Sequence, residues 1–189
     1  MAASNTSQRI LDIAERLVQT RGYNGFSYAD IADSLKVTKA SLHYHFPAKA
    51  DLGQRLIERY ERNFLAALEQ IDAGSKDARE KLHRYAAIYE DVLRADRMCL
   101  CGMLAAEYGT LPKPMREEMR HFFDSNERWL VRVLQEGKKA KALRFSGTAA
   151  DAAQTLIGAL EGALMIARSY GDVARFKAVS DRVLGGLVA

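Results

Sequence analysis

The chain has 189 residues, 48% of them hydrophobic, enough apolar content for a sizeable core in one or two small domains. Only three prolines, and long helical periodicities without alternating apolar runs, exclude a sheet-based fold and predict an all-α protein. The net charge of +4 is spread evenly, with nine Lys/Arg against seven Asp/Glu as far as Arg62 and nineteen against seventeen beyond, so bulk charge singles out no segment.

The opening run 1–7 lacks an apolar core, so no secretory leader is expected, and the protein is expected in the cytoplasm. Residues 6–21 predict an amphipathic helix with Ile10, Ile13, Ala14, Leu17 and Val18 on one stripe. Gly22 stands where a C-cap belongs, and Asn24-Gly25 makes a turn. Ser27 with Asp30 three residues on is a carboxylate version of the capping box, and Ile31, Ala32 and Leu35 follow at helical spacing. After a break at Lys36–Val37, Thr38 is an N-cap for a second short helix that turns Lys39 and His43 onto one face. Two helices this close must cross steeply, the helix-turn-helix layout.

Between Asp33 and Asp51 there is no carboxylate, whereas Lys36, Lys39, His43, His45 and Lys49 all fall inside, with Ser41 and Tyr44 among them. Phosphates repel carboxylates and attract this set, so such a helix suits a DNA major groove. A solvated basic face would look the same in isolation; the flanking pattern favours DNA. A second acid-free window with Lys138, Lys139, Lys141 and Arg144 reads as a solvated interhelical loop between Gly137 and Gly147.

The runs I-L-D-I-A-E-R-L at 10–17, R-G-Y-N-G-F-S at 21–27, D-I-A-D-S-L-K-V-T-K-A-S-L at 30–42 and H-Y-H-F-P-A-K-A-D-L at 43–52 together resemble the TetR family of bacterial transcriptional regulators. The resemblance implies a DNA-binding domain over 1–50 and a helical ligand-binding and dimerisation domain over 51–189. It implies base-facing roles for Lys39, Ala40 and His43, and backbone contacts from Ser27, Tyr28, Thr38, Ser41, Tyr44, His45 and Lys49. Lys39 would donate to guanine, Ala40 would meet a thymine methyl, and His43 would donate to a base acceptor. A ring packed beside Phe46 is the other reading of His45. Ile31, Leu35, Val37, Leu42 and Phe46 are expected core. Family members commonly carry a capping side chain where Ala48 stands, and alanine cannot cap.

From Pro47 and Lys49 a helix runs to about residue 71, with Leu52, Leu56, Tyr60, Phe64 and Leu68 on one face. Further helices are predicted over 77–95, 98–108, from Pro112 and Pro114 to 136, and over 148–170 and 173–187, about nine in all. The longest apolar stretch, 156–167, is interrupted by Glu161 and too short for a bilayer. Gly158, Ala159, Gly162 and Ala163 place small residues one turn apart, and Phe176 and Val183 supply larger knobs on the last helix. Such faces suit a homodimer built from two helices per subunit, or else pack within the monomer. Two reading helices about 34–36 Å apart would then meet successive major grooves of a palindromic operator.

Tyr85, Tyr89, Met103, Phe122, Trp129 and Met165 are candidates to line a pocket for a small apolar inducer, and would equally serve as core. R-M-C-L-C-G-M-L-A-A-E at 97–107 resembles a block of one TetR branch in which the position of Cys99 senses electrophiles in some members. Cys99 and Cys101 are i, i+2 on a helix and do not readily bridge each other. A reactive thiol needs a lowered pKa, from Arg94, Arg97 or the helix start; the other reading is a small buried hydrophobe. No phosphate loop, nucleophile elbow or H-E-x-x-H pair is present, and no metal, cofactor or catalytic centre is expected. The sequence therefore predicts a dimeric, ligand-responsive repressor; the alternative is a helical sensor that acts through its body without binding DNA.

Overall fold

The computed structural model describes residues 2–189, with side chains from Thr6 onward; the leader reading of 1–7 falls in part outside them. Among the described residues nine α-helices follow one another: α1 Ala2–Arg21, α2 Tyr28–Leu35, α3 Lys39–His45, α4 Lys49–Gly74, α5 Ala78–Arg94, α6 Leu100–Ala106, α7 Lys113–Lys139, α8 Ala149–Tyr170 and α9 Val173–Gly185. The only extended pairing among them is one antiparallel bridge between Leu143 and Val188. The fold is all-α, as composition and periodicity predict.

Two packing units emerge from the contacts. The first takes the chain through Arg62 together with Cys99–Phe122, and the second takes Asn63–Met98 and Phe123–Ala189. The boundary between 50 and 51 implied by the resemblance is thus not the division that packing makes; it remains a statement about role.

In the first unit Ile10, Ala14 and Val18 of α1 are buried, and so are Ile31 and Ala32 of α2, Leu42 of α3, and Leu52, Leu56 and Ile57 of α4. α1 packs on α2 and α6, and α2 packs on α3. The helix-turn-helix arises from local chemistry. Ser27 donates both its N–H and its hydroxyl to Asp30 Oδ2, each at 2.7 Å, which starts α2. Lys36 ends it in the left-handed region at φ 57°, with its N–H on Asp33 O. Thr38 Oγ1 then accepts the Ser41 N–H at 3.3 Å and starts α3. At α4 no side chain stands at Ala48 to cap, but Asp51 does half of that work by accepting the Ala48 N–H at 2.9 Å.

In the second unit α8 packs along α9, and α5 packs against both. Their buried faces carry Leu156, Leu160 and Leu164 of α8, Phe176 and Leu184 of α9, and Leu82, Tyr85 and Tyr89 of α5. A charged node sits among them. Asp72 pairs with Lys81 at 2.8 Å and with Arg132, and it accepts the Trp129 indole N–H at 3.0 Å. The helix ends differ from the sequence expectation in two places. α6 is shorter than 98–108, because after Ala106 the chain tightens into a 3-10 turn at Tyr108–Thr110. α7 runs through Lys138 and Lys139, so half of the expected basic loop is helix, and the Lys138 ammonium lies 4.4 Å from the Phe145 ring centroid.

Candidate nucleic-acid interface

The outer face of α3 is built by what its inner face buries. Leu42 is fully buried and Phe46 nearly so, and together they fix the helix's rotation. Lys39, Ala40, His43 and Tyr44 are thereby turned to solvent, Tyr44 with 82% of its surface exposed. Thr38 is exposed, while Ser41 and His45 are half-buried beside them. Because Thr38 Oγ1 accepts from Ser41, its hydroxyl proton remains available to an outside acceptor. The His45 ring meets the Tyr44 ring edge-on at 5.3 Å. A concavity of about 390 Å³ alongside α3 gathers Ser27, Tyr28, Lys39, His43 and Lys49, five residues spread over 23 positions of sequence.

Three of the residues expected to hold the DNA backbone have hydrogen-bond partners within the protein. Tyr28 is buried, and its hydroxyl donates to Phe46 O at 2.8 Å, tying the start of α2 to the end of α3. Burial, with Asp51 nearby, pushes its phenol up to about 12. Lys49 donates to Tyr23 O at 2.6 Å and to Phe26 O, with its ammonium over both rings at 4.5 and 4.1 Å. Burial lowers its pKa against the pull of Glu107 and Asp30. Ser27 has spent its hydroxyl proton on Asp30, whose carboxyl those bonds hold below the usual range. Each of these bonds ties together segments that flank the reading helix.

Two further residues hold this scaffold and drew no role from sequence. Glu107 accepts the Tyr23 N–H at 2.5 Å and the Asn24 N–H and side-chain amide at 3.2 Å each. Gly22, at φ 82°, lies directly beneath that carboxylate, where any Cβ would come within 2.8 Å of Oε1. Arg59 is buried and forks to Asp12 and Glu15 at 2.6 Å each, fastening α4 to α1. Glu107 closes the motif quoted at 97–107, but a motif does not say which backbone a carboxylate will reach.

In the body, the expected pocket residues separate. Tyr85, Tyr89 and Trp129 do come together, with Phe64: Trp129 stacks on Tyr85 at 5.6 Å and the two tyrosine hydroxyls lie 3.1 Å apart. Phe122 belongs to the first unit, against Tyr60 at 5.5 Å, and Met103, half-buried on α6, lies in that unit too. Met165 is 51% exposed, because its position on α8 points away from the leucine stripe, so it lines no interior. Asn126, which the sequence reading passed over, is 1% exposed, and neither atom of its amide has a partner among the described residues. It stands one turn before Trp129 on α7.

Neither cysteine is in a disulfide. Cys99 is 2% exposed with the Tyr60 hydroxyl 3.8 Å from its sulfur, and Arg94 is engaged with Glu90 at 3.1 Å. The thiol is thus shielded from solvent, and Cys99 stands at the start of α6. Ala163 and Phe176 also differ from expectation: both are buried within the protomer and unavailable to a second subunit. Gly158 is exposed and Ala159 and Gly162 half-buried, and a Cβ at either glycine would meet nothing within 4 Å. Met165, Ile166 and Tyr170 continue that open face of α8, with Val179 exposed on α9 and Val183 half-buried there. Among the described residues no helix is long and apolar enough to cross a membrane.

Known proteins share both parts of this architecture. Residues 10–56 match the model of bacterial regulatory proteins of the tetR family, and residues 78–183 match a tetracyclin repressor-like C-terminal domain. A TetR-family regulator of Agrobacterium tumefaciens superposes with a TM-score of 0.96 at 33% identity, covering 99% of this chain and all of that one. A TetR regulator of Legionella pneumophila gives 0.88 at 32% identity over 96% and 97% of the two chains. The transcriptional repressor NemR of Escherichia coli is 24% identical over 178 residues, 88% of this chain and 87% of its own length. With its helix-turn-helix and its helical body both matched, the chain belongs to the TetR family of bacterial regulatory proteins.

Proposed function

We propose that the protein is a homodimeric transcriptional repressor that places α3 in the major groove of a palindromic operator and is released by a small molecule bound in its body. One observation carries this reading: the exposed row Lys39, Ala40, His43 and Tyr44 over a buried Leu42, in a stretch free of carboxylates. Lys39, Ala40 and His43 face the bases, and Thr38, Ser41, Tyr44 and His45 hold the backbone. NemR is named a repressor, which supports that sign of regulation.

The dimer uses the open face of α8 (Gly158, Ala159, Gly162, Met165, Ile166 and Tyr170) with Val179 and Val183 of α9. The glycines allow close approach of a second helix, and the larger side chains supply the apolar area. The inducer is apolar or aromatic and settles by Phe64, Tyr85, Tyr89 and Trp129, with a polar group for the unpaired Asn126 amide. The burial of Cys99 gives no support to an electrophile as that inducer.

Binding to duplex DNA over a series of salt concentrations tests the reading. A steep fall of affinity with salt is expected, with loss of sequence preference in the Lys39→Ala/His43→Ala double variant. Equal binding by wild type and double variant would sink the reading helix, and no salt-dependent binding by either would leave a body that acts without DNA.

A further inference from the structure

His43 is the one member of the exposed row whose hydrogen-bonding character is set by the protein. Its Nδ1 lies 3.1 Å from the carbonyl oxygen of Pro47, four residues on. A carbonyl only accepts, so Nδ1 carries the hydrogen and donates it. The ring also lies against Tyr28, centroids 4.8 Å apart and planes at 52°. Tyr28 is itself immobile, since its hydroxyl is held by Phe46 O. The imidazole is thus gripped on one face and one edge. Turning it over would set a C–H against the carbonyl and forfeit the bond.

A neutral imidazole that donates through Nδ1 has a bare Nε2, which is an acceptor. This reverses the sequence expectation, in which His43 donates to a base. Acceptors facing a major groove find their donors at the exocyclic amines of adenine and cytosine; guanine N7 and O6 and thymine O4 offer none. Resting on the regulator reading above, we infer that His43 is a specificity-determining residue that reads adenine N6 or cytosine N4 through Nε2. The groups around the ring are Lys39 of α3, Tyr28 of α2, and Lys49 at the start of α4, which share its concavity. Asp51 acts on Tyr28, and Asp30 on Lys49, from the same two helices. Lys49 is bonded to Tyr23 and Phe26, and Tyr28 to Phe46, so neither competes for Nε2.

The test is selection of duplexes from a random pool by the full-length protein. His43→Ala and His43→Lys are run in parallel. With wild type, one position of each half-site should favour adenine or cytosine, by about three- to tenfold for one hydrogen bond. His43→Ala should flatten that position alone, and His43→Lys should move it to guanine. Guanine at that position for wild type overturns the inference, as does an unchanged preference in His43→Ala. A pool from which no sequence is enriched by wild type, with no salt-dependent binding, overturns the regulator reading itself and this inference with it.

Discussion

The Glu107 carboxylate and the Tyr23 backbone N–H meet at 2.5 Å across 84 residues of sequence. This bond and its two partners from Asn24 close the chain between α1 and α2 with acceptors supplied by the segment after α6. Lys49 takes the carbonyls of the same loop, at Tyr23 and Phe26, so both kinds of backbone group there are satisfied by side chains. Glu107→Ala would leave those N–H groups short of an acceptor and cost about 1–3 kcal/mol of folding stability. Glu107→Gln keeps one acceptor oxygen and should lose less. Urea titrations of the three proteins check this, and coincident midpoints would remove the clamp from the account.

Asp72 gives the second unit a dependence on acid. Its burial alone would raise its pKa, but bonds from Lys81, Arg132 and Trp129 outweigh that and lower it. A carboxyl lowered on folding contributes stability that is complete above its unfolded value, about 3.9, and is lost as pH falls through the folded value. Wild type should therefore exceed Asp72→Ala in stability by about 3 kcal/mol at neutral pH, since the variant leaves the buried Lys81 ammonium with only the more distant Glu136 at 3.6 Å. The gap should narrow below about pH 4. A gap that does not change with pH would show that the residue acts through packing.

Much of the fold was legible in sequence, and particular residues show why. Ser27–Asp30 and Thr38 are local signals whose partners lie three residues away, and α2 and α3 start where they stand. Leu42 and Ile31 were legible from periodicity, because a helix interior repeats. The roles of Tyr28 and Lys49 were not, because donor chemistry alone does not tell an internal carbonyl from a phosphate oxygen. Nor were those of Glu107 and Arg59, whose partners lie 83–84 and 44–47 residues away. Phe176 and Ala163 were on amphipathic faces, and a sequence does not say which of two apolar faces a helix buries inside its own protomer.

Tyr28 and Lys39 separate scaffold from interface. Tyr28→Phe removes one buried hydrogen bond, should cost about 1 kcal/mol of stability, and should leave the salt dependence of DNA binding unchanged. Lys39→Ala should leave stability within about 0.5 kcal/mol, as for an exposed position, weaken operator binding by about 1–3 kcal/mol and relax one base preference. Denaturation and binding isotherms on the same preparations decide it. The opposite pattern, with Tyr28→Phe changing the salt slope and Lys39→Ala inert, would put the phosphate contact at Tyr28.

Asn126 makes a prediction of unusual sign for a buried position. Its two amide atoms are desolvated and have no partner among the described residues, so a leucine, which shares the branched outline, removes a polar group that gains nothing from folding. Asn126→Leu should raise the stability of the ligand-free protein by about 1 kcal/mol or leave it unchanged, where buried substitutions ordinarily destabilise. The same variant should respond less to inducers that carry a hydrogen-bonding group. A loss of stability would mean that the amide is bonded in the folded protein and that the polar group of the inducer lies elsewhere.

The two apolar faces of the α8–α9 pair predict opposite phenotypes. Phe176 is fully buried in the protomer, so Phe176→Ala opens a cavity and should cost about 3–5 kcal/mol of stability. Ile166 lies on the open face of α8, so Ile166→Asp leaves the protomer core untouched. Its helical circular dichroism should match wild type, while sedimentation should shift from dimer to monomer, because a carboxylate placed in an apolar seam has no partner there. DNA binding should weaken with it, since a single α3 engages one half-site only. If Ile166→Asp still sediments as a dimer, the subunits meet through another surface, and the spacing of two reading helices must be derived from that surface instead.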